Sequence, residues 1–338
     1  MKIIITGGAG FVGARLAREL LKRGSIQLRG QAARAISSIV LADRVAAPAD
    51  LTADTRISSE VGDLHDQLQS TPANLLARHA NAAAVFHMAA AVSGECEANF
   101  DLGMRSNYAT THALLESCRA IKTKPTVFFA SSIAVFGTTA HHVFPDSIVD
   151  TTLPTPQTSY GIQKLIGEQL MADYARKGFI VARTARLATV SVRAGQPNGA
   201  ASGFFSGMIR EPLKGIRCTI PVEADVVHSL SSPGKTVEHI IACVEASDAD
   251  WGPLTALNLP AVPTTVGEMA DTLRRVAGDQ AYAMLDWQID PAVERIVSGW
   301  PTRMGSPRAQ ALGMKPNSSF EEIVRSHIAE HHPELKAA

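Results

Sequence analysis

The sequence predicts an α/β fold in which helices cover both faces of a doubly wound parallel sheet. Short apolar runs alternate with helix-like stretches through the first half of the 338 residues, which is the pattern of stacked βαβ units. The predicted strands are rich in β-branched and aromatic residues and cover Lys2–Thr6, Ser38–Ala42, Arg56–Val61, Ala83–His87, Val127–Ser131 and Ile180–Arg183. Apolar residues at three- and four-residue spacing predict the intervening helices, which cover Phe11–Arg23, Leu64–Ala80, Asp101–Ala120 and Ser159–Lys177.

The pattern changes after Arg186, where glycines and prolines break the chain into short segments. We therefore predict that residues 1–186 form the sheet domain. Residues 187–338 would form a smaller, mainly substrate-binding domain from which the chain can cross back to the sheet. Within the sheet domain, Gly24–Ile36 is an insertion that we expect to be a surface excursion. Short helices are expected in the second domain at Lys235–Ala246, Val266–Ala277 and Phe320–His331.

Charge and composition exclude several classes of protein. The 32 basic and 32 acidic side chains balance, so no net field attracts nucleic acid or an anionic membrane. The longest apolar run, residues 81–92, is shorter than the ~20 residues that span a bilayer. Glycines at positions 7 and 8 interrupt any signal peptide, and the four cysteines form no CxxC pair. We expect a cytoplasmic protein that begins at Met1, with no metal, nucleic-acid partner or membrane segment.

A glycine-rich turn lies between the first predicted strand and the first predicted helix. Gly7, Gly10 and Gly13 follow a GxxGxxG spacing. A pyrophosphate needs such a turn because backbone N–H groups must approach it closely at a helix N-terminus. A plain tight turn is the alternative, but the position directly between strand and helix favours a dinucleotide site.

The end of the second long strand indicates which dinucleotide binds. Asp43 can accept both hydroxyls of the adenosine ribose and would repel a 2′-phosphate, which favours NAD over NADP. The insertion places Asp43 thirty residues after Gly13, so this assignment depends on strand position, and the neighbouring Arg44 could instead hold a phosphate. Asp63 ends the third predicted strand and could contact the adenine amino group.

Tyr160 and Lys164 lie one helical turn apart, on one face of a predicted helix. A phenol with a pKa of about 10 can act as a base near neutral pH only when its phenolate is stabilised, and a nearby ammonium does this. An exposed helical pair is the alternative. However, Ser131 and Ser132 end the fifth strand, where open α/β sheets bind ligands. Ser132 would bind the substrate oxygen, and Lys164 would also hold the nicotinamide ribose.

These motifs resemble, in order and spacing, the extended short-chain dehydrogenases/reductases, which are the NAD-dependent epimerase/dehydratase family. The resemblance covers about two-thirds of the chain and includes TGGAGFVG near the N-terminus, HMAA at His87–Ala90, Asn107, SSIAVFG at Ser131–Gly137 and YGIQK at Tyr160–Lys164. It implies a Rossmann fold and a catalytic triad of Ser132, Tyr160 and Lys164. Aligning the end of the serine motif selects Ser132 over Ser131. Phe136 replaces the family's usual tyrosine, which removes a hydrogen bond to a sugar.

Other stretches resemble the D-erythronate dehydrogenase group of this family, and these are Ala89–Asn107, Arg186–Leu213 and His228–Pro233. That resemblance implies oxidation of a small sugar acid at C2 with NAD. The stretch Asp225–Leu230 lacks aromatic and basic residues of the group, so the acid can differ. Arg193 and Arg210 could bind its carboxylate, with Ser93 as a further contact, although surface arginines are common.

Further cofactor contacts are predicted in or beside these motifs, at Phe11, Val12, Leu64, Ala89, Ala90, Asn107 and Leu187. Two other functions stay open. One is a nucleotide-sugar 4-epimerase or dehydratase with tightly bound NAD. The other is a redox-inactive NAD-binding sensor, against which the intact Ser/Tyr/Lys set argues.

Two helices would pair into the four-helix seam of a homodimer, namely Asp101–Ala120 and Ser159–Lys177. We interpret His87 as a packed, hydrogen-bonded core histidine. The C-terminal residues His327, His331 and His332 are interpreted as solvated surface and not as a metal site.

Overall fold

The computed structural model describes residues 1–139, 141–195 and 201–337. Its strands are β1 (Lys2–Thr6), β2 (Ser25–Ile26), β3 (Arg34–Ala35), β4 (Ser38–Asp43), β5 (Ile57–Val61), β6 (Ala82–His87), β7 (Thr126–Ser132), β8 (Val181–Leu187), β9 (Thr189–Val190), β10 (Cys218–Ile220), β11 (Val227–Ser231), β12 (Leu257–Asn258), β13 (Val262–Thr265) and β14 (Leu285–Trp287).

Its α-helices are α1 (Phe11–Arg23), α2 (Ala49–Thr52), α3 (Leu64–Gln69), α4 (Leu75–Arg78), α5 (Ser93–Ala98), α6 (Phe100–Gly103), α7 (Thr110–Ile121), α8 (Ser159–Arg176), α9 (Phe204–Arg210), α10 (Pro233–Glu245), α11 (Asp248–Trp251), α12 (Val266–Tyr282), α13 (Pro291–Ser298), α14 (Pro307–Ala311) and α15 (Phe320–His331). A π-helical turn, Met104–Ala109, joins α6 to α7, and a 3₁₀ turn, Ile133–Val135, follows β7. None of the helices that the structure describes is long and apolar enough to cross a membrane.

The chain divides into two compact units. The first unit consists of Met1–Val135, Thr158–Arg186 and Val237–Leu257. The second unit consists of Phe136–Gln157, Leu187–Thr236 and Asn258–Ala338. The chain therefore returns to the first unit after residue 236, and the irregular segment after Val135 belongs to the second.

The first unit is built on a seven-stranded sheet with the order β12-β8-β7-β6-β1-β4-β5. The five strands from β7 to β5 pair in parallel. Strands such as Ile3–Ile5 are apolar throughout because helices cover both faces of the sheet. The strand order reverses between β1 and β6, and open α/β sheets bind ligands at such a point. The predicted doubly wound parallel sheet is confirmed.

Two predicted helices are interrupted in the structure. The stretch predicted at 64–80 forms α3 and α4, because Pro72 has no backbone N–H and the Asn74 side chain caps a new helix by accepting from Ala77 N at 3.0 Å. The stretch predicted at 101–120 forms α6, the π-helical turn and α7. Apolar spacing alone does not reveal either interruption.

The insertion Gly24–Ile36 lies at the surface, with residues 30–35 exposed, but it also has regular structure and buried residues. It forms the β2–β3 hairpin, and it buries Ile26, Leu28 and Ile36. The backbone N–H of Arg29 donates to the carbonyl of Val244 at 2.8 Å, within the same unit. The insertion therefore packs on the C-terminal end of α10.

The second unit contains two small sheets, β13-β11-β9 and β10-β14. Its core is an apolar cluster beneath α9, α12 and α15, with Phe205 and Leu273 fully buried. The strands of this unit and several of its helices are short, as expected from the frequent glycines and prolines in this part of the sequence.

Candidate active site

The turn between β1 and α1 is too closely packed for side chains at two of its glycines. Gly7 has a φ of 68°, and a Cβ atom there would lie 2.8 Å from the backbone nitrogen of Ala89. A Cβ atom on Gly13 would lie 2.1 Å from the carbonyl oxygen of Gly7. Gly7 N also donates to Ala42 O at 2.8 Å, which fixes the turn against β4. These glycines are therefore required for the chain to turn sharply and for α1 to start close to β1.

The N-terminus of α1 has the properties of an anion site. Gly10 is its N-cap, and among the described residues no side chain caps the helix and no acidic residue occupies its first turn. Phe11 and Val12 begin the helix. Its first backbone N–H groups and the positive end of its dipole are thus available to a diphosphate. The residues present fit the pyrophosphate of NAD.

Asp43 lies beside this turn, and Asp63 lies at the start of α3. The Oδ2 atom of Asp43 accepts from Ala9 N at 3.0 Å, which places the carboxylate against the glycine-rich loop. Asp63 is the N-cap of α3 and accepts from Asp66 N at 3.2 Å and from the Arg105 guanidinium at 3.1 Å. The adjoining Leu64 is buried in the apolar core. Asp63 thus has a structural role whether or not it also contacts adenine.

Asn107 holds the segment that follows β6. Its Oδ1 atom accepts from Ala91 N at 2.8 Å, and its Nδ2 atom donates to Ala91 O at 3.2 Å and to Gln163 Oε1 at 2.8 Å. Asn107 is buried in the π-helical turn. In the described structure this side chain bonds to protein groups. Its effect on a cofactor would pass through the neighbouring backbone of Ala89 and Ala90.

His87 is a buried, neutral histidine at the end of β6, as expected. The hydroxyl of Thr111 donates to Asn107 O at 2.6 Å, so it accepts from His87 Nε2 at 3.0 Å. His87 Nδ1 therefore carries no proton and accepts from the Thr6 hydroxyl at 2.7 Å. Burial, and secondarily the charge of Lys164, lower the pKa of His87 to about 3.

Lys164 and Tyr160 lie on α8 beside the carboxyl end of β7. The Lys164 ammonium donates to Ala130 O at 2.8 Å and lies 5.6 Å from the centre of the Tyr160 ring. The helix can approach the strand this closely because Gly167 faces Phe129, where a Cβ atom would lie 2.4 Å from the ring. The backbone contact thus fixes the ammonium two residues before Ser132.

The Lys164 side chain is buried and shielded from water. Burial lowers its pKa to about 8, while Cys96 and Glu168 act to raise it. The ammonium also lies 5.0 Å from the centre of the Phe129 ring. A charged lysine next to the phenol favours the phenolate form of Tyr160.

The two serines of β7 have different surroundings. Ser131 is buried, and its hydroxyl donates to Glu168 at 2.5 Å. Ser132 is half-buried, and its Oγ atom accepts from Ala134 N at 3.2 Å, so its proton is available to a ligand. This difference supports the choice of Ser132.

Glu168 also binds the guanidinium of Arg186 at the end of β8, at 2.9 and 2.8 Å. Sequence reasoning missed this pair. Its one signal is that Glu168 follows Lys164 by four residues.

The two arginines predicted to bind a carboxylate are both engaged within the second unit. Arg210 is buried, donates to Glu211 at 2.7 Å and donates to Arg193 O at 2.8 Å. Arg193 donates to Val190 O at 3.1 Å and to the Ser202 hydroxyl at 3.0 Å. Arg210 therefore already has a carboxylate partner.

The remaining residues to be placed are two proposed ligand contacts, Ser93 and Leu187, and two phenylalanines. Ser93 begins α5 in the first unit, and Leu187 ends β8. Phe136, which replaces the family's usual tyrosine, is buried and packs edge-on against the Phe144 ring. An apolar ring suits this position. Phe205 is a core residue that stacks on His228.

The C-terminal histidines were predicted to be solvated, and this is wrong for His327 and His332, which are buried. His331 is exposed, and its ring lies 4.8 Å from that of His327. Burial is the main reason that the pKa of His327 is lowered to about 4. Among the described residues, no group of histidines, cysteines or carboxylates could hold a metal ion.

Comparison with known proteins gives the family. A model of the NAD dependent epimerase/dehydratase family matches residues 3–229. The chain belongs to this family. The predicted family, Rossmann fold and NAD cofactor are therefore confirmed.

Individual relatives cover nearly the whole chain. The chain is 44% identical to a D-erythronate dehydrogenase of Cupriavidus necator over 97% of its length and 98% of the relative. It is 34% identical to one of Haemophilus influenzae, over 97% and 99% of the two chains. A solved nucleoside-diphosphate-sugar epimerase of Agrobacterium tumefaciens aligns with a TM-score of 0.87 and 37% identity, over 99% and 96% of the two chains.

Proposed function

We propose that this protein is an NAD-dependent dehydrogenase that oxidises the C2 hydroxyl of a small sugar acid, D-erythronate or a close analogue, to the 2-oxo acid. The observation that carries the chemistry is the buried Lys164 ammonium held between Ala130 O and the Tyr160 ring. The substrate class follows from near full-length similarity to two D-erythronate dehydrogenases.

Three side chains handle the substrate hydroxyl in this proposal. The Tyr160 phenolate accepts the hydroxyl proton, and the Lys164 ammonium stabilises that phenolate. Ser132 donates its proton to the substrate oxygen and keeps that oxygen in line with Tyr160. When bound, NAD supplies the hydride acceptor for the carbinol carbon. The acid therefore loses one hydride and one proton and becomes a ketone.

The glycine-rich turn and the strand ends hold the cofactor. The N–H groups at Phe11 and Val12 bind the pyrophosphate, and Gly10, whose own N–H donates to Gly7 O at 3.1 Å, contacts it as the helix N-cap. Asp43 accepts from the adenosine ribose, and Lys164 also holds the nicotinamide ribose. The remaining proposed cofactor contacts come from Gly7, Gly13, Asp63, Leu64, Ala89, Ala90, Asn107 and Leu187.

For the carboxylate of the acid, we favour Arg193 over Arg210. Arg210 is bonded to Glu211, so a second carboxylate would compete with an existing ion pair. Arg193 donates to a backbone carbonyl and to a hydroxyl, and we propose that its guanidinium also binds the carboxylate of the acid. Ser93 adds a hydroxyl contact to the substrate.

A homodimer is part of the proposal. The π-helical turn and the neighbouring helices α6 and α8 expose the apolar side chains of Tyr108 (36%), Phe100 (61%) and Ile162 (47%). Exposed large apolar groups on adjacent elements are typical of a protein interface. We also propose a cytoplasmic location, which is supported by the four cysteines, none of which forms a disulfide among the described residues.

A nucleotide-sugar epimerase is the second candidate, because the chain is 37% identical to a solved protein of that name. Purified enzyme with NAD should be offered a panel of four- to six-carbon aldonates, with UDP-glucose and UDP-galactose as controls. We expect steady NADH formation, measured at 340 nm, with D-erythronate or a near analogue. Interconversion of the UDP-hexoses without NADH from any aldonate would overturn the proposal.

A further inference from the structure

A buried ion pair lies behind the proposed catalytic residues, and the reaction described above does not use it. The Arg186 Nε atom donates to Glu168 Oε1 at 2.9 Å, and an Nη atom donates to Oε2 at 2.8 Å. The side chains of Arg186 and Glu168 are only 4% and 3% exposed. The contact is therefore bidentate and desolvated, and it joins the end of β8 to the middle of α8.

Stability alone does not explain such a pair. Desolvating two charges costs several kcal/mol per ion, and apolar replacements of similar volume are often as stable or more stable. The pair therefore calls for a reason connected with its neighbours. Glu168 follows Lys164 by one helical turn, and it also accepts from Ser131, the residue before Ser132. One carboxylate thus connects the helix of Tyr160 and Lys164 with the strand of Ser132.

We infer that Glu168 and Arg186 are positioning residues that keep the Lys164 ammonium charged and hold Ser132 in register with Tyr160. This inference rests on the proposed roles of those three residues. Glu168 and Arg186 do not touch the reacting atoms. They act through the electrostatic environment of Lys164 and through the position of the end of β7.

The charges around Lys164 make this role specific. The ionisable groups that face Lys164, directly or through Glu168, are Tyr160 and Glu168 of α8, His87 of β6, Cys96 of α5 and Arg186 of β8. His87 is neutral because burial lowers its pKa. Burial raises the pKa of the Cys96 thiol, so Cys96 adds a negative charge near Lys164 only at alkaline pH, and it is unchanged in every variant used below. Near neutral pH, the Glu168 carboxylate is therefore the negative charge that stabilises the Lys164 ammonium, and the Arg186 cation partly offsets this effect.

Removing one partner at a time should move the pH profile in opposite directions. Glu168→Gln removes a negative charge near Lys164 and keeps the Arg186 cation, so Lys164 should lose its proton at a lower pH and the alkaline limb of kcat/KM should shift downward. Arg186→Met leaves the Glu168 carboxylate unpaired, so the limb should shift upward. We expect about one pH unit in each direction. The double variant removes both charges and should return the limb close to wild type.

The experiment measures kcat/KM for NAD-dependent oxidation of the acid from pH 6 to pH 11 in the wild type and these three variants. Thermal melting and NAD titration show which variants fold and bind cofactor. Each single variant tests the inference by itself, so failure of one to fold leaves the other decisive. The charge-conserving Glu168→Asp should keep the limb in place while lowering kcat.

Lower kcat in both single variants with an unmoved limb, or with both limbs moved the same way, would contradict the inference. Such a result would assign the pair a purely structural role. Failure of the proposed function gives a different result. In that case Tyr160→Phe would retain wild-type activity, regardless of how the alkaline limbs of the Glu168 and Arg186 variants shift.

Discussion

Each unit of the molecule contains a buried arginine bonded to a carboxylate, and the two pairs differ in what they connect. Arg186 and Glu168 come from β8 and α8, and Ser131 of β7 joins them. Arg210 and Glu211 are neighbours in the chain, and Arg210 also bonds to Arg193 O. The first pair fixes three elements of the catalytic region, whereas the second is local. An arginine in the sequence is therefore a poor predictor of a substrate site until its partners are known.

The largest effect is expected in the catalytic region. Tyr160→Phe removes the proton acceptor but leaves the ring beside Lys164, so kcat should fall by ~10²–10⁴. NAD affinity, measured by fluorescence titration, should stay close to wild type because the turn at Gly7–Gly13 is untouched. A variant that keeps more than a tenth of the wild-type kcat would break the assignment.

The two arginines of the second unit should have different effects when replaced: loss of Arg193 should weaken substrate binding, and loss of Arg210 should lower stability. Arg193→Met should remove about 1.5–3 kcal/mol of binding free energy for the acid, the value of a charge-assisted hydrogen bond. KM should therefore rise about 10- to 150-fold, with a smaller change in kcat. Arg210→Met leaves Glu211 without its cation, and it should mainly reduce the free energy of unfolding, by ~3 kcal/mol. Steady-state kinetics and denaturant titration of both variants test this contrast. If Arg210→Met raised KM more than Arg193→Met, the preference for Arg193 would be reversed.

Cofactor choice should depend on Asp43. Asp43→Ser removes the charge that repels a 2′-phosphate and leaves Arg44 to attract it, so the NAD/NADP ratio of kcat/KM should fall about tenfold or more. Asp63→Asn is the matched control, because it also removes one carboxylate charge, but its proposed contact is with adenine, which NAD and NADP share, and Asn can still cap α3. The ratio should therefore change much less. Equal ratios in Asp43→Ser and wild type would show that another residue reads the ribose.

The smallest effect concerns two of the buried histidines, His87 of the first unit and His228 of the second. Burial lowers the pKa of His87 and of His228 to about 3, below the value of about 6.5 expected in the unfolded chain. Unfolding therefore takes up protons below pH 6.5, and each histidine reduces the free energy of unfolding by up to ~1.4 kcal/mol per pH unit as the pH falls. His87→Gln and His228→Gln should each flatten this slope in urea titrations between pH 7 and pH 5. A slope unchanged in both would mean that the histidines are charged in the folded protein.

Much of the first unit could be predicted from sequence because its signals span several residues. The alternation of strands and helices predicted the sheet, and three glycines between β1 and α1 predicted a tight turn that could hold a cofactor. The spacing of Tyr160 and Lys164 has a chemical reason, so it remains recognisable without a structure. Single-residue arguments carry less information, because the sequence does not show that Arg210 bonds to Glu211.

What escaped prediction depends on contacts between distant segments. The insertion Gly24–Ile36 looks polar, yet it buries three apolar residues, and its backbone bonds to the end of α10, more than 200 residues later. His327 is polar and near the C-terminus, but packing of α15 buries it. Glu168 and Arg186 are unremarkable in sequence, and only the fold places them together.

The most direct test of the central claim follows the hydrogen on C2. The enzyme should be incubated with NAD and D-erythronate deuterated at C2, and the products should be analysed by mass spectrometry. A dehydrogenase built on Tyr160, Lys164 and Ser132 releases one deuterated NADH for each acid converted to the 2-oxo acid. Deuterium that stays in a sugar product, with no label in released cofactor, would contradict the claim and favour an epimerase.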